Sequence, residues 1–321
     1  MRSIIAGALL CASLACAGQA APLQFTSFWV IGDSLSDPGN LSAATGGAIP
    51  GAPYVDGRFS NGPVWAEAVA ARFAAKGRPT GNFAFGGAAV GPVPFRPFGA
   101  PPTVDLAGQV ERFALDTEGL RGHSPVVSFM IGANDQFFAG IPLGIAAAVG
   151  TAAANGVADA ALALRPLGVE AVMLANLPAL DKTPAYTTLG QPGADQAALG
   201  TAAFNATLAT RAAGLRDAGM TVIELDLFGL FNEVLADPGA FGLLNASLPC
   251  YVPGVFTCDI PIEAPLLAFF DAVHPSSTVH AELARRVQAE IAPVPLPATG
   301  LLLIAGLGAL VLRARGSRRS S

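Results

Sequence analysis

The chain has 321 residues, of which 52% are hydrophobic and 13% charged, so it can build a sizeable core and is not a disordered polar chain. Its net charge is −5, and lysine and arginine form no cluster in the body of the sequence. This composition excludes a nucleic-acid partner, which would need clustered lysine and arginine to contact phosphates.

The amino-terminal segment has the pattern of a secretory signal peptide. Residues 1–3 include an arginine, residues 4–17 are apolar, and residues 18–20 are Gly-Gln-Ala. We expect cleavage after Ala20 and export of a mature protein that begins at residue 21. Lipidation at Cys16 is the less favoured alternative, because the preceding leucine stands one position away from its place in lipoprotein signals.

The first predicted strand of the mature chain ends at a serine. An apolar run at residues 28–31 is followed directly by Gly32, Asp33 and Ser34. A serine in such a turn fits a nucleophile, provided that a base removes its proton and fixed donors receive the developing oxyanion. We expect Asp37 and Asn40, like Asp33, to hold this turn through hydrogen bonds to the backbone.

Short apolar runs alternate with alanine-rich segments over the rest of the mature chain. The predicted strands are residues 25–31, 82–85, 126–131, 170–175 and 221–225, and the predicted helices are residues 64–75, 104–115, 145–164, 196–218 and 277–291. This alternation predicts an α/β fold, a three-layer sandwich with a central, mostly parallel five-stranded sheet, in one domain at residues 21–292.

Ligands bind beyond the carboxyl ends of the strands in such a sheet. Ser34, the glycine pair Gly86 and Gly87, and Asn134 all fall at these ends. Two segments rich in glycine and proline, residues 39–58 and 91–102, are too long for tight connections. We therefore expect both to shape access to a site at this edge.

The cysteines indicate an oxidising compartment. Cys11 and Cys16 leave with the signal peptide, whereas Cys250 and Cys258 flank a short loop containing proline and glycine. We expect these two to form a disulfide, with two free buried thiols as the alternative. No histidine lies near them, and His123, His274 and His280 have no metal-ligand spacing, so the sequence predicts no metal site.

Residues 271–275 supply the base that Ser34 requires. Asp271 and His274 stand three positions apart, and Pro275 disfavours helical geometry at the histidine. We expect His274 to lie in a loop just before the last helix, where Asp271 can bond to its Nδ1 atom.

The carboxyl-terminal segment, residues 293–321, has the pattern of an envelope-sorting tail. Residues 293–300 read Pro-Val-Pro-Leu-Pro-Ala-Thr-Gly, and an apolar run to Leu312 precedes several arginines. As a helix, residues 298–312 would span about 22 Å, less than a ~30 Å hydrocarbon core unless the arginines snorkel. The segment resembles the VPLPA type of PEP-CTERM signal, which exosortase-family enzymes process, and also matches the LPxTG pattern of sortases. We expect contact with the membrane here and processing by one of these enzymes, after a signal peptidase has acted at the other end; a helix packed on the domain is the alternative.

Four blocks of the sequence together resemble the GDSL, or SGNH, hydrolase family. They occur in the family's order and cover nearly the whole mature domain, from Phe28 to Ala284: residues 32–40 (GDSLSDPGN), 82–88 (NFAFGGA), 132–135 (GAND) and 271–275 (DAVHP). The resemblance implies a flavodoxin-like sandwich and a serine esterase that uses neither metal nor cofactor.

The blocks carry the family's catalytic roles onto this sequence. Ser34 corresponds to the nucleophile, His274 to the base that later acts as acid, and Asp271 to the group that orients it. The oxyanion donors would be the backbone of Ser34, the backbone of Gly86 and the side chain of Asn134, with Gly87 as the alternative to Gly86. Phe85 departs from the smaller residue that is often found before these glycines.

The substrate expected from this resemblance is a lipid-like acyl ester, because the branch it is most similar to is that of bacterial lysophospholipases and esterases. The hydrophobic loops fit such a substrate. Four phenylalanines have two alternative roles, to line an acyl pocket or to pack against the sheet: Phe95, Phe98, Phe137 and Phe138. A carbohydrate O-acetylesterase is the second candidate. A catalytically silent surface protein is the third.

Overall fold

A central sheet of five parallel strands organises the molecule. The structure is a computed structural model that describes residues 25–94, 96, 104–117 and 123–292. Taken across the sheet, the strands are in the order β2-β1-β3-β4-β5. Their bounds are β1 Ser27–Gly32, β2 Thr80–Asn82, β3 Pro125–Met130, β4 Ala171–Ala175 and β5 Thr221–Leu225. This confirms the predicted α/β sandwich with a five-stranded parallel sheet. The order reverses between β1 and β3, the switch point at which such sheets bind ligands.

Helices cover both faces of the sheet. They are α1 Asn40–Ala44, α2 Trp65–Ala74, α3 Leu106–Asp116, α4 Ala133–Asp135, α5 Ala146–Ala163, α6 Pro184–Thr187, α7 Ala194–Asp217, α8 Leu227–Ala236 and α9 Ser277–Glu290. A π-helical turn, Gln136–Gly140, follows α4 directly. The predicted signal peptide at 1–20 and the sorting segment at 293–321 lie outside the described residues.

Strand β1 is buried on both sides, which is why its sequence is a continuous apolar run. On one face, Trp29 packs edge-on against Phe113 of α3 at 5.8 Å between ring centroids. On the other face, Phe28 contacts Trp65 and stacks on Phe73, both from α2. The strand that leads to Ser34 is therefore fixed between two helical layers.

Helices α5 and α7 pack closely because glycine stands where they cross. A Cβ atom on Gly150 would lie 2.4 Å from the backbone oxygen of Gly200 and 3.0 Å from the backbone nitrogen of Phe204. Ala146–Leu167 is long and apolar enough to cross a membrane by length and composition alone. Its residues Ala153, Ala154 and Val157 belong to the same hydrophobic cluster as Phe204, which identifies it as a core helix.

The second strand ends earlier than the sequence predicted. Asn82 Oδ1 accepts a hydrogen bond from the Ala84 N–H, which turns the chain out of the strand. The predicted strand 82–85 is therefore displaced to Thr80–Asn82, although the N–H groups of Phe83 and Phe85 still donate to β1 carbonyls.

Two local features near the end of the domain were not predicted: helix α8, and a parallel strand pair of β6 Asn245–Pro249 and β9 Leu267–Phe269. The short loop expected between Cys250 and Cys258 is an antiparallel hairpin of β7 Tyr251–Val252 and β8 Phe256–Thr257. These strands are short and belong to separate two-stranded sheets, so their sequences carry little periodicity. Cys250 and Cys258 form a disulfide bond that closes the hairpin.

The contact between α5 and α7 predicts opposite effects for two glycine substitutions. Gly150→Ala should lower the free energy of unfolding by about 1–3 kcal/mol, because the new methyl group meets backbone that cannot move aside. Gly214→Ala in α7 is the matched control: a Cβ there meets nothing within 4 Å, and alanine should stabilise the helix by about 0.5–1 kcal/mol. Urea unfolding measures both, and equal effects would contradict the close approach.

Candidate active site

Ser34 lies in a tight turn beyond the carboxyl end of β1. The N–H groups of Ser36 and Asp37 both donate to the Asp33 carbonyl oxygen, which closes the turn. A Cβ atom on Gly32 would lie 2.9 Å from the Met130 backbone oxygen, so the turn needs glycine where the strand ends. Among the described residues, the Ser34 N–H donates no hydrogen bond. This N–H is therefore available to a substrate oxygen that becomes negatively charged when Ser34 Oγ attacks.

Ser34, His274 and Asp271 form a continuous chain of hydrogen bonds. Ser34 Oγ lies 2.8 Å from His274 Nε2, and His274 Nδ1 lies 2.6 Å from Asp271 Oδ2. Asp271 Oδ1 accepts hydrogen bonds from the backbone N–H groups of Val273 and His274 at 2.9 and 2.7 Å. The carboxylate therefore fixes both the ring and the backbone of the histidine.

Pro275 has the role that the sequence predicted. His274 lies outside the helix, its carbonyl oxygen accepts a hydrogen bond from the Phe270 N–H, and α9 begins at Ser277. The backbone N–H of Ser276 donates to the Ala268 oxygen in β9. The strand and the helix thus hold the short catalytic loop from both sides.

The electrostatics of the pair favour a basic histidine. Burial opposes the charged forms of both side chains, yet attraction to the neighbouring His274 and its hydrogen bond hold the pKa of Asp271 below its usual value. Burial also acts against the imidazolium, but attraction to Asp271 outweighs it and raises the pKa of His274 above its usual value. His274 is therefore poised to accept the Ser34 proton.

Tyr54 belongs to this hydrogen-bonded chain, although sequence reasoning did not single it out. Its hydroxyl donates to Asp271 Oδ2 at 2.6 Å, the same oxygen that bonds to His274 Nδ1. The Tyr54 ring packs edge-on against Phe59, Tyr251 and Phe270. Its position in the predicted access loop, residues 39–58, was the only available signal, because the partner carboxylate lies more than 200 residues away.

The structure places the two glycines differently from the prediction. The Gly86 N–H donates to Asp37 Oδ2 at 2.8 Å, so it is not available to an oxyanion, and the choice of Gly86 was wrong. A Cβ atom on Gly86 would lie 2.2 Å from the Phe59 ring, which explains why glycine is needed there. Gly87 has a φ of 74°. Its N–H donates to no other residue in the part of the chain that the structure describes.

Asn134 lies at the start of the segment that follows β3. Its Nδ2 atom donates one hydrogen bond to the Ala88 oxygen at 2.9 Å, which leaves the second amide hydrogen available. The neighbouring Asp135 accepts hydrogen bonds from the N–H groups of Val90 and Gly91, both at 2.9 Å. These contacts fix the loop that carries Gly87 beside the nucleophile turn.

The other acidic residues of the motifs hold backbone, as the sequence predicted for them. Asp37 accepts from the N–H groups of Gly39 and Gly86, and Asp33 accepts from that of Leu35 at 3.1 Å. Burial raises the pKa of Asp33 to about 7 and that of Asp135 to about 6, despite the hydrogen bonds that oppose the shift. The Asn40 side chain donates to the Asn82 and Ala84 oxygens.

A large cavity opens onto the serine. Its volume is about 780 Å³, within the usual range for sites that take small molecules. Ser34, Asn134 and His274 lie on its wall, and most of the remaining lining is apolar: Leu35, Phe59, Phe137, Phe138, Ile141, Leu180 and Phe231, among others. Two of the four predicted pocket phenylalanines thus line it, whereas Phe95 and Phe98 lie outside the described residues.

His280, in α9, takes no part in the hydrogen-bonded chain of Ser34, His274 and Asp271. His280 is buried, and burial lowers its pKa to about 3, so it is neutral. Within the described ranges, no group of three or more histidine, cysteine, aspartate or glutamate side chains could hold a metal ion.

The chain is similar to known proteins over most of its length. Residues 29–287 match the family model described as GDSL-like Lipase/Acylhydrolase. The chain is 26% identical over 287 residues to the thermolabile hemolysin of Vibrio parahaemolyticus serotype O3:K6, which covers 83% of this chain and 64% of the relative. It is 30% identical over 231 residues to the phosphatidylcholine-sterol acyltransferase of Aeromonas hydrophila, and this match covers 71% of the chain and 66% of the relative. It thus spans slightly less than two thirds of each relative.

One solved structure with a similar overall path is an acetylxylan esterase from Geobacillus stearothermophilus. It is 18% identical and has a TM-score of 0.47, and the match covers 83% of this chain and 94% of the other.

The hydrogen bond from Tyr54 predicts a change in pH dependence. Tyr54→Phe removes the hydrogen bond that the hydroxyl donates to Asp271. The carboxylate then stabilises the protonated His274 more strongly, so the pKa of His274 should rise. Inactivation by a fluorophosphonate slows at low pH, where His274 is protonated. The pH at which the rate falls should rise by about half a unit, which is half of the roughly 1.4 kcal/mol that one pKa unit represents. Tyr186→Phe is the control: it removes a hydroxyl from the same cavity that bonds to no described side chain, and this pH should not change. A uniform loss of rate at every pH would make Tyr54 a packing residue only.

Proposed function

The chain belongs to the GDSL-like lipase/acylhydrolase family. On that basis we propose that it is a serine hydrolase of ester bonds, an exported esterase that acts on lipid-like acyl esters. The observation that carries the proposal is the Ser34 to His274 hydrogen bond of 2.8 Å at the wall of a large, mainly apolar cavity. An activated hydroxyl in such a cavity is suited to attack the carbonyl of an ester whose acyl chain is buried beside it.

Each member of the site has a defined role in this proposal. His274 Nε2 takes the proton from Ser34 Oγ as the oxygen attacks the ester carbon, and it then gives that proton to the leaving alcohol. Asp271 holds the tautomer and stabilises the imidazolium. Water, activated by the same nitrogen, then attacks the acyl-enzyme and releases the acid and free Ser34.

The oxyanion is assigned to three donors. They are the backbone N–H groups of Ser34 and Gly87 and the second amide hydrogen of Asn134. All three are free of other described partners, whereas the N–H of Gly86 is already bonded to Asp37. One such donor typically contributes about 3–4 kcal/mol to transition-state stabilisation.

The character of the cavity favours a lipid substrate over an acetylated sugar. Aromatic and aliphatic side chains form most of its wall, and hydroxyl-rich rings would leave their polar groups without partners there. The name of the Aeromonas hydrophila relative, a phosphatidylcholine-sterol acyltransferase, agrees with this preference. A carbohydrate O-acetylesterase stays the second candidate, since an acetyl group needs little of this volume. A silent surface protein is disfavoured by the intact hydrogen-bonded chain.

Export is supported by the two ends of the sequence and by the disulfide. Residues 1–20 have the signal-peptide pattern and residues 293–321 the sorting pattern, of the exosortase or the sortase type. The bond between Cys250 and Cys258 suits an oxidising compartment. We propose location in the cell envelope or outside it, with the carboxyl-terminal segment as a transient or permanent membrane anchor.

Covalent labelling tests the proposed nucleophile. A fluorophosphonate should modify Ser34 alone, and Ser34→Ala should abolish labelling. Asp271→Asn should fold normally but react about 10³- to 10⁴-fold more slowly, because the imidazole loses its orienting acceptor. Mass spectrometry of the labelled peptide identifies the site, and modification elsewhere would refute the assignment.

Hydrolysis rates across acyl lengths test the proposed substrate class. We expect kcat/KM to rise at least about ten-fold from acetyl to octanoyl nitrophenyl esters, since each buried CH₂ contributes about 0.8 kcal/mol. Phe137→Ala, which opens the cavity wall, should reduce this rise while acetyl ester hydrolysis changes less. A maximum at acetyl, together with release of acetate from acetylated xylan, would favour the carbohydrate esterase.

A further inference from the structure

Three exposed loops surround the mouth of the catalytic cavity, and each contributes to its lining. We name residues 142–145, 189–192 and 253–256 the rim loops. Pro142 belongs to the first, Gln191 and Pro192 to the second, and Pro253 to the third, and all of these side chains line the cavity that contains Ser34. The three loops come from distant parts of the sequence, so only the fold brings them around one opening.

The rim loops expose large apolar side chains to water. These are Leu143 and Ile145 on the first loop, Leu189 on the second, and Val255 and Phe256 on the third. Val255 is 81% exposed at the tip of the hairpin of β7 and β8. Leu248 of β6 extends the apolar surface, because the backbone oxygen of Ser247 beside it accepts a hydrogen bond from Thr188, directly before the second loop.

The rim loops also lie within long stretches of sequence that contain no charged residue. No lysine, arginine, aspartate or glutamate occurs in residues 136–158, 183–194 or 238–258, which include the three loops and their flanks. A surface that is both apolar and uncharged associates by the hydrophobic effect and gains nothing from the charge of its partner. Protein interfaces, by contrast, surround their apolar centre with a polar edge.

We propose that the rim loops form a docking surface for a lipid bilayer without net charge, into which Leu143, Leu189, Val255 and Phe256 insert. The proposal rests on the lipid-ester function argued above, and it adds the physical state of the substrate: lipid packed in an aggregate. With the loops inserted, the cavity mouth faces the acyl layer directly. An ester can then pass from the bilayer to Ser34 without its acyl chain crossing water, a step that the hydrophobic effect opposes.

Site-specific fluorescence tests the docking in the full chain, where apolar segments at the two ends could also reach a membrane. The native tryptophans, Trp29 and Trp65, are buried, so a tryptophan placed on the rim reports its own surroundings. The probe is Phe256→Trp in a Ser34→Ala background, which cannot hydrolyse the lipid. The vesicles are phosphatidylcholine with brominated acyl chains, which quench only tryptophans that enter the hydrocarbon.

The matched control is Leu115→Trp in the same background. Leu115 is 71% exposed, similar to the rim residues, but it stands near the end of α3, which leads back to the amino edge of the sheet, away from Ser34. We expect at least two-fold quenching and a blue shift at position 256, both retained in 1 M NaCl, and no change at position 115. Equal quenching at the two positions, or none at position 256, would overturn the proposal.

A kinetic comparison separates the docking surface from the proposed substrate. Val255→Asp should lower the ratio of phosphatidylcholine-vesicle hydrolysis to soluble nitrophenyl-ester hydrolysis at least about ten-fold, and Leu115→Asp should leave this ratio unchanged. Quenching at position 256 with no vesicle hydrolysis by the active chain would refute the lipid substrate but retain the surface. Hydrolysis with an unchanged ratio in Val255→Asp would refute the surface. A concentration-dependent dimer that Val255→Asp abolishes would instead assign the rim to a second copy of the chain.

Discussion

The buried carboxylate of Asp271 is the constraint on which the active site depends. A charge in the interior is tolerated only when hydrogen bonds replace its lost hydration. Asp271 meets this requirement with the Tyr54 hydroxyl, the His274 ring and the backbone N–H groups of Val273 and His274. Because one carboxylate satisfies all of these donors, the catalytic loop, the histidine ring and the access loop that carries Tyr54 have a single mutual arrangement. The disulfide-closed hairpin supports it through the ring of Tyr251.

The loops around Ser34 use buried acids in a similar way. Asp37 pairs with the N–H of Gly86, and Asp135 pairs with those of Val90 and Gly91. From the other side, Arg96 donates to the Gly87 oxygen and to Asp105. Most backbone donors of this glycine-rich region are therefore occupied, whereas the N–H groups of Ser34 and Gly87 have no partner among the residues that the structure describes. Because the surrounding N–H groups are bonded, the loops are held in place, and the two remaining donors stay available to a developing negative charge.

The charged side chains that line the cavity belong to the catalytic centre, and the rim loops at its mouth are mainly apolar. Asp33, Asp271 and His274 lie on the cavity wall, whereas the rim loops carry no charged residue. Low polarity around the triad strengthens its hydrogen bonds and also suits ligands with long apolar groups. One arrangement thus serves both the reactivity of Ser34 and the proposed preference for lipid esters.

Apolar periodicity and short motifs are local properties. The sequence alone was therefore enough to predict four of the five main strands, the long helices, the sandwich and the likeness of Ser34, Asn134, Asp271 and His274 to the family's site residues. It failed where the outcome depends on contacts between distant segments. Two adjacent glycines are equivalent in sequence, and only the approach of Asp37 to Gly86 distinguishes them. The hydrogen bond of Tyr54 and the grouping of the rim loops were also missed, because they too depend on contacts between distant segments. Each depends on which atoms of remote segments meet once the sheet has set their positions, and the tertiary structure alone determines that.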